Sequence, residues 1–282
     1  MIRLDHVSFQ YQGGTTPPED GQPEAIRQLS LTIEQGEYVT IAGPNGSGKS
    51  TLAKLMNGLL LPQAGNVFVG KWNTRDEQDK WDIRRRVGLV FQNPDHQMVA
   101  TTVLDDVAFG MENLGIARDQ MHKRAEQALR KVRMWEHRLK QPHHLSGGEK
   151  QRVAIAGILA MEPEVMIFDE PTSMLDPDGK RDILHIMRML HEEGFTIIHI
   201  THDMEEVLQS TRFIVMHRGK IVADGRPAEI LSDAAMLAQY QLLPPFIIEA
   251  KETFRKYGLF LPDRMENERE LVEELWTFIS AT

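Results

Sequence analysis

Apolar and polar residues alternate along the first forty residues of the chain. The pattern is clearest in IRLDHVSF (residues 2–9) and LSLTIEQGEYVTIAG (residues 29–43), and such period-two alternation is typical of strands. The segment between them, QGGTTPPEDGQPE (residues 12–24), is polar and rich in Pro and Gly, which predicts an exposed hairpin loop. NVFVG (residues 66–70) and RRVGLVFQ (residues 85–92) predict further strands.

The pattern becomes helical from about Asn93 to Ala160, most plainly in the amphipathic MHKRAEQALRKVRMW. Strands return at VMIFDE and FTIIHITH, each followed by a helical segment. RFIVMHRGKIVADG predicts a hairpin that turns at Arg218 and Gly219. Alternation of strand and helix predicts an α/β fold, with right-handed crossovers between the strands of a parallel sheet.

The chain changes character after about Tyr240. LLPPF breaks the preceding pattern, and further on a set of apolar residues falls on one helical face opposite many glutamates. These residues are Leu271, Leu275, Phe278 and Ile279. We therefore expect a small helical extension over residues 240–282.

Composition narrows the function classes. The 282 residues carry a net charge of -9, which disfavours a protein that follows a nucleic-acid backbone, and we expect no nucleic-acid partner. The absence of cysteine excludes a thiol nucleophile and a cysteine zinc site. No apolar run approaches the roughly 18 residues that a membrane span needs, and the first residues lack a basic-then-apolar pattern, so we expect neither a membrane span nor a signal segment.

The clearest chemical motif is GPNGSGKS, from Gly43 to Ser50, between an apolar strand and a predicted helix. Glycines allow the backbone amides to face phosphate oxygens, and the helix N-terminus adds positive potential. Lys49 is predicted to reach the β and γ phosphates of a nucleotide, and Ser50 to ligate Mg²⁺. The candidate binding residues are Gly43, Pro44, Asn45, Gly46, Ser47, Gly48, Lys49, Ser50 and Thr51.

VMIFDE places Asp169 and Glu170 at the carboxyl end of a buried strand, where ligands bind in open α/β sheets. An acidic pair at a strand end is often only solvated, but a phosphate loop elsewhere in the chain favours catalysis. We assign Asp169 to the metal and Glu170 to the polarisation of an attacking water.

A second glycine turn lies in LSGGEKQRVAIAG, where Ser146 is predicted to cap a helix that starts with Gly147 and Gly148. Alone this is an ordinary helix cap. In its order between the phosphate loop and VMIFDEPTSMLD, it resembles the signature motif of ABC-type ATPases, and the resemblance covers nearly all of residues 1–240. It implies a P-loop NTPase fold of ABC type, with a parallel-sheet core, an antiparallel β subdomain and a helical signature subdomain at about residues 93–160.

The resemblance also implies roles for single residues. In this family the signature of one subunit, here Ser146, Gly147, Gly148 and Glu149, closes over the ATP held by the phosphate loop of another subunit. Gln92 resembles the glutamine that contacts Mg²⁺, and His202 the switch histidine that holds the γ-phosphate. Asp176 resembles the aspartate that bridges the subunits, and Tyr11 the aromatic residue that stacks on adenine.

Two positions depart from the usual family pattern. Glu149 stands where many members have Gln, and Met174 where many have Ala. Neither change removes a group that the chemistry requires.

Among ABC proteins, one cassette with a short helical segment favours a transporter over a ribosome-associated or DNA-repair member. FQNPDHQMVATTVLDDVAFGMENLG resembles the energy-coupling factor (ECF) type, importers of vitamins and metal ions. This implies an ATPase domain at residues 1–239 that pairs with a second, similar ATPase. It also implies a transmembrane coupling subunit, a membrane substrate-binding subunit and a peripheral location on the cytoplasmic face of the membrane.

The extension at 240–282 either pairs the ATPases or caps the chain's own core. Another ABC importer class and a soluble ABC ATPase remain the alternatives.

Overall fold

The computed structural model describes residues 1–11, 24–262 and 268–280. The strands are β1 (Ile2–Phe9), β2 (Ile26–Ile33), β3 (Tyr38–Ala42), β4 (Ala64–Val69), β5 (Trp72–Asn73), β6 (Val87–Val90), β7 (Val165–Asp169), β8 (Thr196–Thr201), β9 (Arg212–His217) and β10 (Lys220–Gly225). The helices are α1 (Lys49–Met56), α2 (Lys80–Arg86), α3 (Val103–Asn113), α4 (Arg118–Lys131), α5 (Gly147–Leu159), α6 (Pro177–Glu192), α7 (Pro227–Leu231), α8 (Ala234–Gln239), α9 (Phe246–Lys256) and α10 (Glu268–Ser280).

The strands of the described residues form two sheets. An antiparallel sheet has the order β2-β1-β4-β5, and a six-stranded sheet has the order β10-β9-β3-β8-β7-β6. In the second sheet β9, β3, β8, β7 and β6 are parallel neighbours, and only the edge strand β10 is antiparallel. The predicted hairpin is confirmed, because β9 and β10 are joined through Arg218 and Gly219, which have φ values of 47° and 77°.

Side chains of the parallel strands alternate between two buried faces. Val165 and Ile167 of β7 belong to a core shared with α1 and the antiparallel sheet. Met166 and Phe168 belong to a second core, shared with α3, α4, α5 and α6. Because both faces are covered, strands β3, β6, β7 and β8 are buried along their whole length and mostly apolar, as is usual for parallel sheets. The helix after the phosphate loop and the signature helix therefore pack on opposite faces of one sheet.

Two predicted boundaries were wrong. Arg85 and Arg86 end helix α2 and do not open strand β6, which begins at Val87. Basic residues in the last turn of a helix interact favourably with its dipole, and Ile83 anchors this helix in the core at 1% exposure. Between Asn93 and Thr102 the backbone forms only the short 3-10 turn Pro94–His96, and α3 starts where the Thr102 side chain caps it.

The last part of the chain packs as a small helical cluster. Ile247 and Ala250 of α9 contact Leu271 of α10 in a separate apolar core, against which Leu275 packs. The predicted apolar face is confirmed for Leu271 and Leu275, whereas the side chains of Phe278 and Ile279 lie outside the described residues. Residues 12–23 of the predicted hairpin loop also lie outside them.

In the part of the chain that the structure describes, every helix is too short or too polar to cross a bilayer.

Candidate active site

The phosphate loop connects β3 to α1, and its backbone admits only glycine at two positions. A Cβ atom on Gly43 would lie 2.1 Å from the carbonyl oxygen of Met216, and one on Gly48 would lie 2.3 Å from that of Ala25. Gly48 also has a φ of 104°, which a side chain would strain. Because the obstructing atoms are backbone, they cannot move aside. These glycines are required by the chain's own fold.

The N-terminus of α1 is left open. Its N-cap residue is Gly48, no side chain caps it, and its first turn has no acidic residue. By contrast, α3, α5 and α6 are capped by the side chains of Thr102, Ser146 and Asp176. Free amides and the positive end of the helix dipole together favour an anion. The start of α1 is thus suited to phosphate.

Lys49 holds a buried positive charge over this loop. Its Nζ donates to the carbonyl oxygens of Gly43 at 2.8 Å and Pro44 at 3.2 Å, and the residue is 5% exposed. Burial lowers the pKa of Lys49, while the nearby carboxylates of Glu170 and Asp169 act to raise it. A phosphate group would give this cation a better partner than two carbonyl oxygens.

Ser50 and Asp169 form the candidate metal site. The Ser50 hydroxyl donates to Asp169 Oδ1 at 2.9 Å, and Asp169 is 6% exposed. Burial raises the pKa of Asp169, against the effect of the Ser50 hydrogen bond, so a cation here would relieve an unfavourably buried carboxylate. The donor set is all oxygen, which fits Mg²⁺. Among the described residues no three His, Cys, Asp or Glu side chains cluster as a metal site, so phosphate and water would complete the coordination.

The carboxylate of Glu170 contacts the two other predicted catalytic residues, Gln92 and His202. Its Oε2 accepts a hydrogen bond from Gln92 Nε2 at 3.2 Å and lies 3.2 Å from His202 Nδ1. Gln92, Glu170 and His202 follow the neighbouring strands β6, β7 and β8, so they meet at the carboxyl edge of the sheet. The φ of Glu170 is 49°, a strained value that is held by the hydrogen bond from its amide to the carbonyl of Ile200 at 2.9 Å.

Tyr11 lies next to the start of α1. Its hydroxyl is 3.2 Å from Thr51 Oγ1, and its ring packs edge-on against Phe9 with centroids 5.0 Å apart. The residue is 50% exposed, so part of the side chain is accessible to a ligand. The position is compatible with stacking on adenine.

The signature turn caps its own helix, as predicted. Ser146 Oγ accepts the amide of Glu149 at 3.3 Å, and Glu149 Oε2 accepts the amide of Ser146 at 2.8 Å. This amide of Ser146 is the main cause of the lowered pKa of Glu149. These two reciprocal hydrogen bonds form a capping box. The box does not use the amides of Gly147 and Gly148 or the hydroxyl hydrogen of Ser146.

The glycines of this turn differ physically from those of the phosphate loop. A Cβ on Gly147 would lie 3.6 Å from Leu175, and one on Gly148 would lie 3.6 Å from Gly179, which are ordinary contact distances. Packing within this chain therefore does not require glycine at either position. Asp176 lies close by, capping α6 through the Gly179 amide at 2.9 Å. The predicted site residues thus form two groups, one at the phosphate loop and one at the signature turn.

Sequence reasoning missed the buried carboxylate of Glu206, four residues beyond His202. The available signal was HDMEE, a charged segment directly after the strand TIIHIT.

Comparison with known proteins identifies the family. The family model described as ABC transporter matches residues 26–173. The chain is 49% identical to the energy-coupling factor transporter ATP-binding protein EcfA1 of Caldanaerobacter subterraneus subsp. tengcongensis, over 97% of this chain and 98% of that protein. It is 47% identical to EcfA1 of Halalkalibacterium halodurans, over 99% and 98% of the two chains.

The chain belongs to the ABC transporter ATPases of the energy-coupling factor type. Solved structures agree with the ABC fold. CbiO1 from Clostridium perfringens, described as part of the ABC transporter complex CbiONQ, has a TM-score of 0.74 and 34% identity over 89% of this chain and 98% of its own. The dimeric ATP-binding cassette MJ0796 bound to ADP and phosphate has a TM-score of 0.72 and 30% identity over 80% and 99%. This ECF ATPase is therefore the ATP-hydrolysing subunit of an importer.

Proposed function

We propose that this ECF ATPase works in a head-to-tail pair in which each ATP is clasped between two chains. The phosphate loop of one chain holds the triphosphate, and Ser146, Gly147 and Gly148 of the other chain close over it. The observation that carries the proposal is that the signature glycines are not needed by their own chain, whereas Gly43 and Gly48 are. A close approach by a group from outside the chain explains why no side chain is present. The dimeric form of the neighbour MJ0796 supports the same arrangement.

Within each composite site the residues take distinct roles. Lys49 and the backbone amides between Gly43 and Thr51, other than Pro44, which has no N–H, bind the phosphates, and Tyr11 stacks on the adenine. Ser50, Asp169 and Gln92 would hold Mg²⁺, which supplies charge neutralisation at the phosphate oxygens.

The catalytic step depends on two side chains that already contact each other. Glu170 accepts a hydrogen bond from the attacking water and polarises it, while His202 donates to the γ-phosphate. Asp176 and Glu149 lie at the junction between the two chains.

The pair drives a membrane complex. We infer a heterodimer with a second, similar ATPase, docked from the cytoplasmic face onto a transmembrane coupling subunit that carries a separate substrate-binding membrane subunit. The cargo is a vitamin or metal ion that this chain does not contact. The relatives named as ECF transporter subunits and the CbiONQ complex support this assembly. Exposed apolar side chains after Gln92, among them Val99 at 61% and Phe109 at 44% exposure, offer a docking surface.

Residues 1–239 act as the ATPase domain, and the extension at 240–282 pairs the two ATPases. In the described part of the extension, several large apolar side chains are exposed. They are Leu243, Phe246, Tyr257, Phe260, Val272 and Trp276. A helical cluster that only capped its own core would bury such side chains.

Replacement of Glu170 by Gln in the purified complex tests the catalytic assignment. The amide keeps the shape of the side chain but is a poor base, so we expect turnover to fall by at least about 100-fold while ATP affinity changes little. Glu192→Gln, at an exposed position at the end of α6, is the matched control and should hydrolyse ATP normally. Normal turnover in Glu170→Gln would overturn the assigned role.

A tag on this chain tests the assembly. Mass spectrometry of the complex captured from detergent-solubilised membranes should identify a sister ATPase and integral membrane proteins. Capture of ribosomal or DNA-repair proteins in their place would contradict the proposed assembly.

A further inference from the structure

A buried carboxylate lies beside the active site without contacting a nucleotide position. Glu206 is in the 3-10 helix Met204–Gln209 and is 1% exposed. Removing a carboxylate from water costs several kcal/mol unless charges and hydrogen bonds compensate for it. The groups that compensate for this cost therefore indicate the role of Glu206.

Both oxygens of Glu206 are fully engaged. Oε1 accepts the hydroxyl of Thr172 at 2.7 Å, and Oε2 accepts the hydroxyl of Thr201 at 2.6 Å. Lys180 Nζ lies 3.3 Å from Oε1, and His199 Nε2 lies 3.1 Å from Oε2. Although burial acts to raise the pKa of Glu206, the contacts with His199, Thr201 and Thr172 outweigh it and lower the pKa to about 2. The side chain is thus an anion at neutral pH.

The two threonines connect this anion to the catalytic loops. Thr172 is two residues beyond Glu170, and Thr201 directly precedes His202. The Thr201 hydroxyl also accepts the amide of Asp203 at 3.0 Å, so it holds the backbone on the far side of His202 as well. One side chain, Glu206, therefore accepts hydrogen bonds from both loops.

These loops need such support. Glu170 has the strained φ of 49°, which persists only where its surroundings hold it. The side chain of His202 is 56% exposed, so its own packing does not fix its position. The 3.2 Å separation between them therefore depends on where the two loops are held.

We propose that Glu206 is a positioning residue for ATP hydrolysis, which fixes Glu170 and His202 relative to each other through Thr172 and Thr201. The inference rests on the catalytic roles proposed above for Glu170 and His202. Glu206 itself touches neither ATP nor water in the reaction. Its effect should therefore appear in the rate of the chemical step and not in nucleotide binding.

The test uses paired substitutions of the threonines in the purified membrane complex. Thr172→Val and Thr201→Val each remove one hydroxyl with little change in shape, whereas Thr172→Ser and Thr201→Ser keep it. A displacement of about 1 Å can cost about 100-fold in rate, so we expect kcat in the Val variants to fall by about 10- to 100-fold. KM for ATP should stay nearly constant, and the Ser variants should restore most of kcat. In Glu206→Gln only one acceptor oxygen remains for the two threonine hydroxyls, so its kcat should fall as in the Val variants.

A destabilised control separates positioning from general loss of stability. Ile198→Val shortens a fully buried side chain of β8 and costs about 0.5–1.5 kcal/mol without touching the bridge. Its kcat should stay normal. If Ile198→Val loses kcat as the Thr201→Val variant does, or if both Thr→Val variants keep a normal kcat, the proposal is wrong.

A double-mutant cycle with His202→Ala shows whether Thr201 acts through the histidine. Once His202 is absent, Thr201→Val should cause no further loss of kcat. Full additivity of the two losses would overturn the positioning role. Normal turnover in His202→Ala alone would overturn the role proposed for the histidine. A slow His202→Ala beside normal Thr→Val variants would overturn only the present inference.

Discussion

Replacement of Gly148 by Ala separates what the chain needs from what its partner needs. Gly148 is in the first turn of α5, and a Cβ there would meet the Cα atom of Gly179 at 3.6 Å, with Arg152 at 4.0 Å. Neither contact is closer than ordinary van der Waals distance. The isolated chain should therefore accept the methyl group. In the proposed pair, by contrast, the methyl group should obstruct the ATP that the second chain brings to this turn.

The expected change in the free energy of unfolding differs between Gly148 and the glycines of the phosphate loop. Ala in place of Gly stabilises a helix interior by up to about 1 kcal/mol, and by less in the first turn. Gly148→Ala should thus leave the free energy of unfolding unchanged or slightly raised. Gly48→Ala should lower it by at least about 1–2 kcal/mol from the positive φ alone. The 2.3 Å approach of its Cβ to the Ala25 carbonyl adds to that cost.

Two assays measure these effects. Urea denaturation of the isolated full-length chain gives stability, and ATP turnover of the assembled complex gives function. A methyl group between the α5 amides and a phosphate displaces the anion by about 1 Å or more, so turnover should fall by about 100-fold. ATP binding by the isolated chain should not change. A Gly148→Ala chain that is clearly less stable, or a complex with normal turnover, would refute the reasoning.

Two further predictions concern stability. Ser146→Ala removes the capping hydrogen bond to Glu149 and should lower the free energy of unfolding by about 1 kcal/mol, whereas Ser232→Ala, which loses only an exposed contact with the Glu229 carbonyl, should cost less. Equal losses in urea denaturation would argue against the cap. Because folding lowers the pKa of Glu206 from 4.5 to about 2, its ionised form contributes stability above about pH 4.5 that is lost as the pH falls toward 2. The difference in unfolding free energy between the native chain and Glu206→Gln should therefore become smaller as the pH falls from about 4.5 to about 2. A difference that does not depend on pH would contradict the lowered pKa.

The sequence by itself determined the features whose physical requirements are local. The phosphate loop needs glycines, a helix start and a lysine within eight residues, and all of them stand together from Gly43 to Ser50. The acidic pair at the end of β7 and the cap at Ser146 are equally local, as is the hairpin at Arg218 and Gly219. Gln92 and His202 were found only through the family resemblance, because the residues around them form no local motif that indicates a catalytic role.

Only the tertiary structure decided which groups meet. A strand such as VMIF, apolar at every position, indicates that both faces of the sheet are buried, but not that α1 covers one face and α5 the other. The contact of Glu170 with Gln92 spans 78 positions in sequence and depends on the order of strands in the sheet. The bridge made by Glu206 depends in the same way on loops from two strands and a 3-10 helix. Side-chain contacts between distant segments follow from packing of the whole chain, and no short segment encodes them.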